Sequence, residues 1–326
     1  MSVSSEDQDF ALYIKKATNY ISITVTLGFF PIVFFLNILT IIVFLRKKFR
    51  ENYMSLYNLV IGMVDTTIIF LNFVLFYSDS KNETVAQKST FLCILMYYTT
   101  RVFSSFHSWL LVMVAFERVL HVIFPYGFKF MKKRRIILAI MLALFIANVA
   151  LYYPNTYLKL NISDAFINAT NQTVITKACG ATPQIEFMID TMRIMSRIVI
   201  PFILVLMLNS LLIYKLIKAK RKVKANSNIK KEYHFKIIAV TCFLFVLSLT
   251  PLMVVLLLMN IYKLEINSSL RIFTVFDFVK GLALFVTSYN YLSQFLINLK
   301  FSSMFREELF NFIKEMKYIF SSKLFC

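Results

Sequence analysis

Charge is scarce in this chain: 16% of its 326 residues are charged against 59% hydrophobic, too little polar surface to coat a soluble globule of this size. That shortage makes lipid the solvent. Glycine is scarce too, with five residues in all, and no phosphate-cradling glycine loop occurs. The three histidines form no His-Glu-x-x-His pair, and no Ser-His-Asp order is visible, so the sequence carries no enzyme signature. Internal repeats, low-complexity tracts and a soluble domain hidden in a loop are absent as well. A transmembrane barrel would need alternating segments of about 10 residues, whereas the apolar runs here are at least about twice as long.

Those runs are what the chain has in abundance. A bilayer core of about 30 Å needs about 20 mostly apolar residues per helix. Seven stretches satisfy this: Tyr20 to Leu45, Ser55 to Tyr77, Leu92 to His121, Ile136 to Pro154, Met192 to Ile217, Tyr233 to Tyr262 and Ile272 to Leu299. The expected fold is an all-α membrane protein, a seven-transmembrane helix bundle over residues 20–299. A short outer N-terminal segment spans 1–19, and a cytoplasmic amphipathic helix and tail span 300–326. Residues 1–19 carry Glu6, Asp7, Asp9, Lys15 and Lys16 in no basic-then-apolar-then-small order, so they do not read as a cleaved signal peptide. The first span is expected to act as the insertion signal.

The net charge of +19 is distributed on one side. Arg46, Lys47, Lys48 and Arg50 follow the first span, Lys129 and Lys132 to Arg135 follow the third, and a basic run from Lys215 to Lys231 follows the fifth. Basic loops stay in the cytoplasm, which predicts an N-out, C-in topology in the plasma membrane. Glycosylation acceptors agree, because Asn82, Asn161, Asn168, Asn171 and Asn267 all fall in the loops so placed outside. Of four cysteines, only Cys93 and Cys179 lie on the oxidising side, where they can pair. Cys326 is a candidate for lipid attachment on the inner side. The basic run reads as a loop beside anionic lipid, with no nucleic-acid partner.

Several residues fall where the rhodopsin-like (class A) G protein-coupled receptor family has its landmarks. Glu117-Arg118-Val119 stands at the inner end of the third span, and Arg118 is 25 residues beyond Cys93. Asn37, Asp65, Pro125, Pro201 and Phe245 before Pro251 follow in order, and Phe305-Arg306 resembles the start of the family's eighth helix. The apolar set Phe301, Met304, Phe305, Leu309, Phe312, Ile313 and Met316 has helical spacing suited to the inner leaflet. The resemblance implies a receptor in which Glu117 restrains Arg118 at rest and the freed Arg118 contacts a heterotrimeric G protein. It also makes Asn37, Asp65, Asn290 and Gln294 a relay, with Asp65 a potential sodium site.

The chain also departs from the family's pattern. Gln294-Phe295-Leu296-Ile297-Asn298 stands where the family has Asn-Pro-x-x-Tyr, Leu249 replaces a Trp, and Asn209 replaces a Tyr as in invertebrate peptide receptors. The only Trp is Trp109. Thr100 occupies the position where amine receptors carry an acid, so a neuropeptide is the expected ligand and a chemosensory small molecule the alternative. Thr100, Arg101, Ser104, Arg197 and Lys280 are the expected ligand-binding residues, and the two arginines favour an acidic ligand group. His107, His121 and His234 are expected to be a bonded core residue and two solvated ones. A transporter or channel would need paired half-repeats or polar rows along a pore. An opsin would need a lysine deeper in the last span than Lys280.

Overall fold

A computed structural model describes residues 5–50, 53–80, 85–124, 133–167, 172–222, 247–248, 250–259 and 270–323. Its helices are α1 (Ser5–Thr24), α2 (Phe30–Leu45), α3 (Lys47–Arg50), α4 (Tyr53–Ser80), α5 (Thr90–Ile123), α6 (Arg134–Leu151), α7 (Pro183–Ile194), α8 (Ile200–Lys222), α9 (Thr250–Met259), α10 (Leu270–Phe301) and α11 (Ser303–Lys323). Between α6 and α7, β1 (Lys159–Ile167) and β2 (Gln172–Gly180) pair antiparallel, with Leu160 opposite Cys179. The all-α expectation therefore misses a hairpin. Its strands hold Ile162, Ile167, Thr173, Val174, Ile175 and Thr176, β-branched residues in a connection too short and too polar to form another span.

Among the described residues, five stretches are long and apolar enough to cross a membrane: Leu27–Leu45, Ser55–Leu75, Thr90–Ile123, Arg134–Tyr157 and Gln184–Lys215. They coincide with the first five expected spans. α10, at 32 residues, has the length of the seventh, but Asn290, Ser293, Gln294 and Asn298 lower its hydropathy. Of the expected sixth span, α9 and residues 247–248 are described, and the remainder, with Leu249 and Phe245, lies outside the described residues. Large apolar side chains are exposed in helical rows, Leu138, Leu142 and Ile146 on α6 and Ile203, Leu206 and Met207 on α8. Water would penalise such faces, whereas lipid tails match them.

The interior is packed between these rows. Val33, Tyr57, Ile68, Leu110, Ile137 and Tyr291 join α2, α4, α5, α6 and α10 in one cluster. Ile194, Ile198, Leu252, Val255 and Ala283 join α7, α9 and α10 in another. Gly62 lets α2 approach α4, since a Cβ there would meet Ile41 Cγ1 at 3.3 Å. Ser89 caps α5 by accepting a hydrogen bond from the Leu92 amide at 3.2 Å. α1 runs into the first span through a π turn, Val25–Phe29, so residues 5–19 extend that helix.

A second π turn, Met195–Val199, joins α7 to α8. Each π turn sits just before a proline, Pro31 or Pro201. Proline has no N–H to give the carbonyl four residues back, and its ring crowds that carbonyl, so one wider turn relieves both problems.

α11 docks through Phe305 and Leu309, which are buried against Val43, Phe44, Phe49 and Phe295. Around this contact, Arg46 Nε lies 2.6 Å from Glu308 Oε2, Arg46 Nη2 2.6 Å from Glu315 Oε1, and Lys48 Nζ 2.8 Å from Glu307 Oε2. The Arg46 hydrogen bond holds the Glu315 carboxyl below the usual carboxylate range, and Glu307 raises Lys48. Exposed ion pairs contribute little, whereas burying one phenylalanine is worth about 1.5–3 kcal/mol. The apolar contact therefore carries the docking and the charges set its orientation.

Candidate functional site

The candidate residues gather at three depths along the bundle. At one end of α5, Glu117 and Val119 are buried and Arg118 is half-buried. His121, one turn further on, brings Nε2 within 3.2 Å of Glu117 Oε1 and contacts the Tyr53 hydroxyl. The expectation of a merely solvated His121 is corrected here. The i,i+4 spacing on one helix turns the imidazole onto its carboxylate neighbour, and α4 supplies a tyrosine behind it.

Midway, Asp65 is fully buried with His107 Nδ1 2.6 Å from its Oδ1, a close approach that is poorly aligned for a hydrogen bond. The His107 ring stands edge-on to Tyr291, 5.5 Å between centroids. Asn37 Nδ2 donates to the Val33 and Tyr291 carbonyls, each at 3.0 Å, and Gln294 Nε2 donates to the Asn58 carbonyl at 2.8 Å. Asn290 is buried, and its carbonyl accepts from Ser293 Oγ at 2.7 Å. Asp65 Oδ2, Asn37 Oδ1 and Gln294 Oε1 are buried without a hydrogen-bond partner among the described residues. Hard oxygens of this kind are what a small cation would take, and the histidine nitrogen at Oδ1 is not.

At the far end, Cys93 and Cys179 are joined, with Cα atoms 5.9 Å apart, which ties β2 to α5. About one and two turns below Cys93 come Tyr97 and Arg101, the guanidinium lying 5.5 Å over the tyrosine ring and donating to Asn155 Oδ1. Asn155 is buried in the short turn Tyr153–Tyr157 that follows α6. Arg193 Nη2 lies 3.1 Å from Asp190 Oδ1, and Tyr152 and Ser196 share a hydrogen bond of 2.8 Å. Arg197 stands on the second π turn near the Tyr291 hydroxyl, which also meets Ser104.

Compared with known families, the model of the 7 transmembrane receptor (rhodopsin family) matches residues 36–290. The chain belongs to this family. No curated protein matches it at a significant level. The receptor is thus a multi-pass membrane protein of a signalling-receptor family.

Within the receptor, Ser104 and Arg197 both approach Tyr291, Arg101 faces Arg193, and Thr100 Oγ1 donates to the Met96 carbonyl at 2.7 Å. Lys280 pairs with Asp277 at 3.1 Å. Asn161 lies on β1, and Asn82, Asn168, Asn171, Asn267 and Cys326 fall outside the described residues. Arg193, Asn155 and Tyr291 were not expected from sequence. Arg193 had a signal, since it precedes Arg197 by four residues on one helical face. Asn155 had none, because its role depends on how α6 ends against α5.

Proposed function

We propose that this receptor carries the signal of an extracellular peptide to a cytoplasmic heterotrimeric G protein at the plasma membrane. In this reading seven helices span the membrane, the Cys93 end faces outside, the Arg118 end faces the cytoplasm, and α11 lies on the inner leaflet with Phe310, Ile313 and Met316 toward lipid. The observation that carries it is the pairing of a matched receptor family with Glu117-Arg118 at one end of α5 and a disulfide at the other. One-sided basic loops and the placement of the five glycosylation acceptors support the orientation. Thr100 in place of an acid, and a long hairpin over the outer end, support a peptide over an amine. The proposed ligand-facing set is Thr100, Arg101, Ser104, Arg197 and Lys280. Full-length receptor in cells with a second-messenger readout should respond to at least one pool of neuropeptides. Silence to every peptide pool with a response to small volatile or soluble molecules would replace the peptide reading by the chemosensory one.

A sodium ion, if it binds, is proposed to be held by Asp65 Oδ2 with oxygens of Asn37 and Gln294, Asn290 belonging to the same relay. When bound it would supply positive charge that steadies a resting arrangement. His107 already occupies Oδ1, so the proposed affinity is weak. Agonist affinity measured in sodium and in N-methylglucamine should differ little for the native receptor and more for His107→Ser. An equal response in both proteins counts against the site.

A further inference from the structure

Three guanidinium groups lie near one another at the Cys93 end, with one carboxylate among them. Arg193 and Arg197 stand four residues apart across the α7 to π-turn junction, like charges that repel, and Arg101 faces Arg193 from α5; among the described residues the one carboxylate in ion-pair range of any of the three is Asp190, 3.1 Å from Arg193. The other nearby acids are engaged elsewhere: Glu186 Oε1 accepts from the Ala181 amide at 3.2 Å, and Asp277 pairs with Lys280. Three cations against one anion leave an excess of two positive charges inside a helix bundle, where unpaired charge is costly.

The three arginines are not equivalent. Arg101 is fixed by Asn155 and Tyr97, so it supplies field from a set position. Arg193 gives one nitrogen to Asp190, while its Nε is buried with no hydrogen-bond partner among the described residues. Arg197 has no carboxylate partner among the described residues, and the π turn that carries it presents it toward the Tyr291 hydroxyl. A buried donor without an acceptor and a planar fork without an anion define what is missing: a group with two coplanar negative oxygens.

We propose that Arg193 and Arg197 bind a carboxylate of the ligand, with Arg101 as a fixed positive charge behind them and Asp190 as the resident competitor that holds Arg193 until the ligand arrives. This rests on the receptor reading above and names the chemistry of the ligand it takes. A carboxylate forms paired hydrogen bonds with a guanidinium fork, and a neutral amide of the same shape cannot.

The test uses the full chain purified in lipid nanodiscs, with succinate as probe, succinamide as its neutral isostere, and the unfolding midpoint as readout. Succinate should raise the midpoint and succinamide should not. Arg197→Gln should weaken the apparent succinate affinity by about tenfold. Asp190→Asn should strengthen it, because the competitor is gone, whereas a purely structural Arg193–Asp190 pair would only lose stability. If Arg197→Gln does not fold, Arg197→Lys keeps the charge without the fork and should still weaken binding. No succinate shift in the native protein, an equal succinamide shift, or a shift unchanged in the arginine variants overturns the proposal. The readout needs no G protein. Signalling to an amidated ligand without a succinate shift would sink the anion site and keep the receptor reading, and the reverse would do the opposite.

Discussion

An Arg118→Ala receptor is expected to reach the surface and bind ligand while losing nearly all agonist-stimulated nucleotide exchange. Arg118 is half-buried at the end of α5, and its neighbours Glu117 and Val119 are buried, so the helix end is fixed. Truncating a charged, hydrogen-bonded contact costs about 2–5 kcal/mol, which corresponds to at least about thirtyfold in coupling. Exchange assayed on membranes with purified G protein, beside ligand binding on the same membranes, measures this directly. The companion change, Glu117→Gln, should raise basal exchange, because it removes the negative charge proposed to restrain Arg118. His121 sits 3.2 Å from the same carboxylate, so His121→Ala should act on Glu117 and shift basal exchange as well. Coupling that survives Arg118→Ala at full strength would show that this receptor, with Gln294 and Asn298 in place of the usual last-span residues, signals by another route.

The second large effect concerns the Cys93–Cys179 bond. The two cysteines are 86 residues apart in sequence, and a cross-link of that reach removes about 4–5 kcal/mol of unfolded-chain freedom in the loop-entropy description. That is comparable to the whole stability of many domains. Cys93→Ser and Cys179→Ser should each abolish most surface expression, and the double variant should be no worse than either, since one bond is lost in all three. Surface labelling in intact cells gives the measurement. Additive losses in the double variant would mean that each cysteine acts alone. The same protein tests the orientation, because a membrane-impermeant reductant should reach the bond in intact cells only if the Cys93 end is outside. Protection in intact cells and reduction after permeabilisation would reverse the topology.

Much of this was legible from the residues. The apolar runs marked the first five spans, since runs too long for barrel strands leave the helix as the arrangement that satisfies backbone hydrogen bonds in lipid. The spacing of Cys93, Arg118, Pro201 and Pro251 carried the family. The β1–β2 hairpin was harder to see, because its strands are polar enough to read as loop. His121 was misread because a histidine near a helix end is usually wet. Here the i,i+4 partner Glu117 and the Tyr53 hydroxyl from α4 enclose it.

By itself the sequence determined the solvent, the helical class and the positions of the main helices. Those follow from local composition and from the fixed length of apolar helix a bilayer needs. Which polar groups meet inside the bundle was decided only by the tertiary structure. Asp65 and His107 are 42 positions apart and touch because α4 and α5 pack at one depth. Asn155 finds Arg101 because α6 ends in a short turn against α5. Arg197 approaches Tyr291 because a proline-associated π turn sets its direction. Side-chain direction depends on helix rotation and on such register changes, and both are fixed by packing between helices that sequence spacing does not encode.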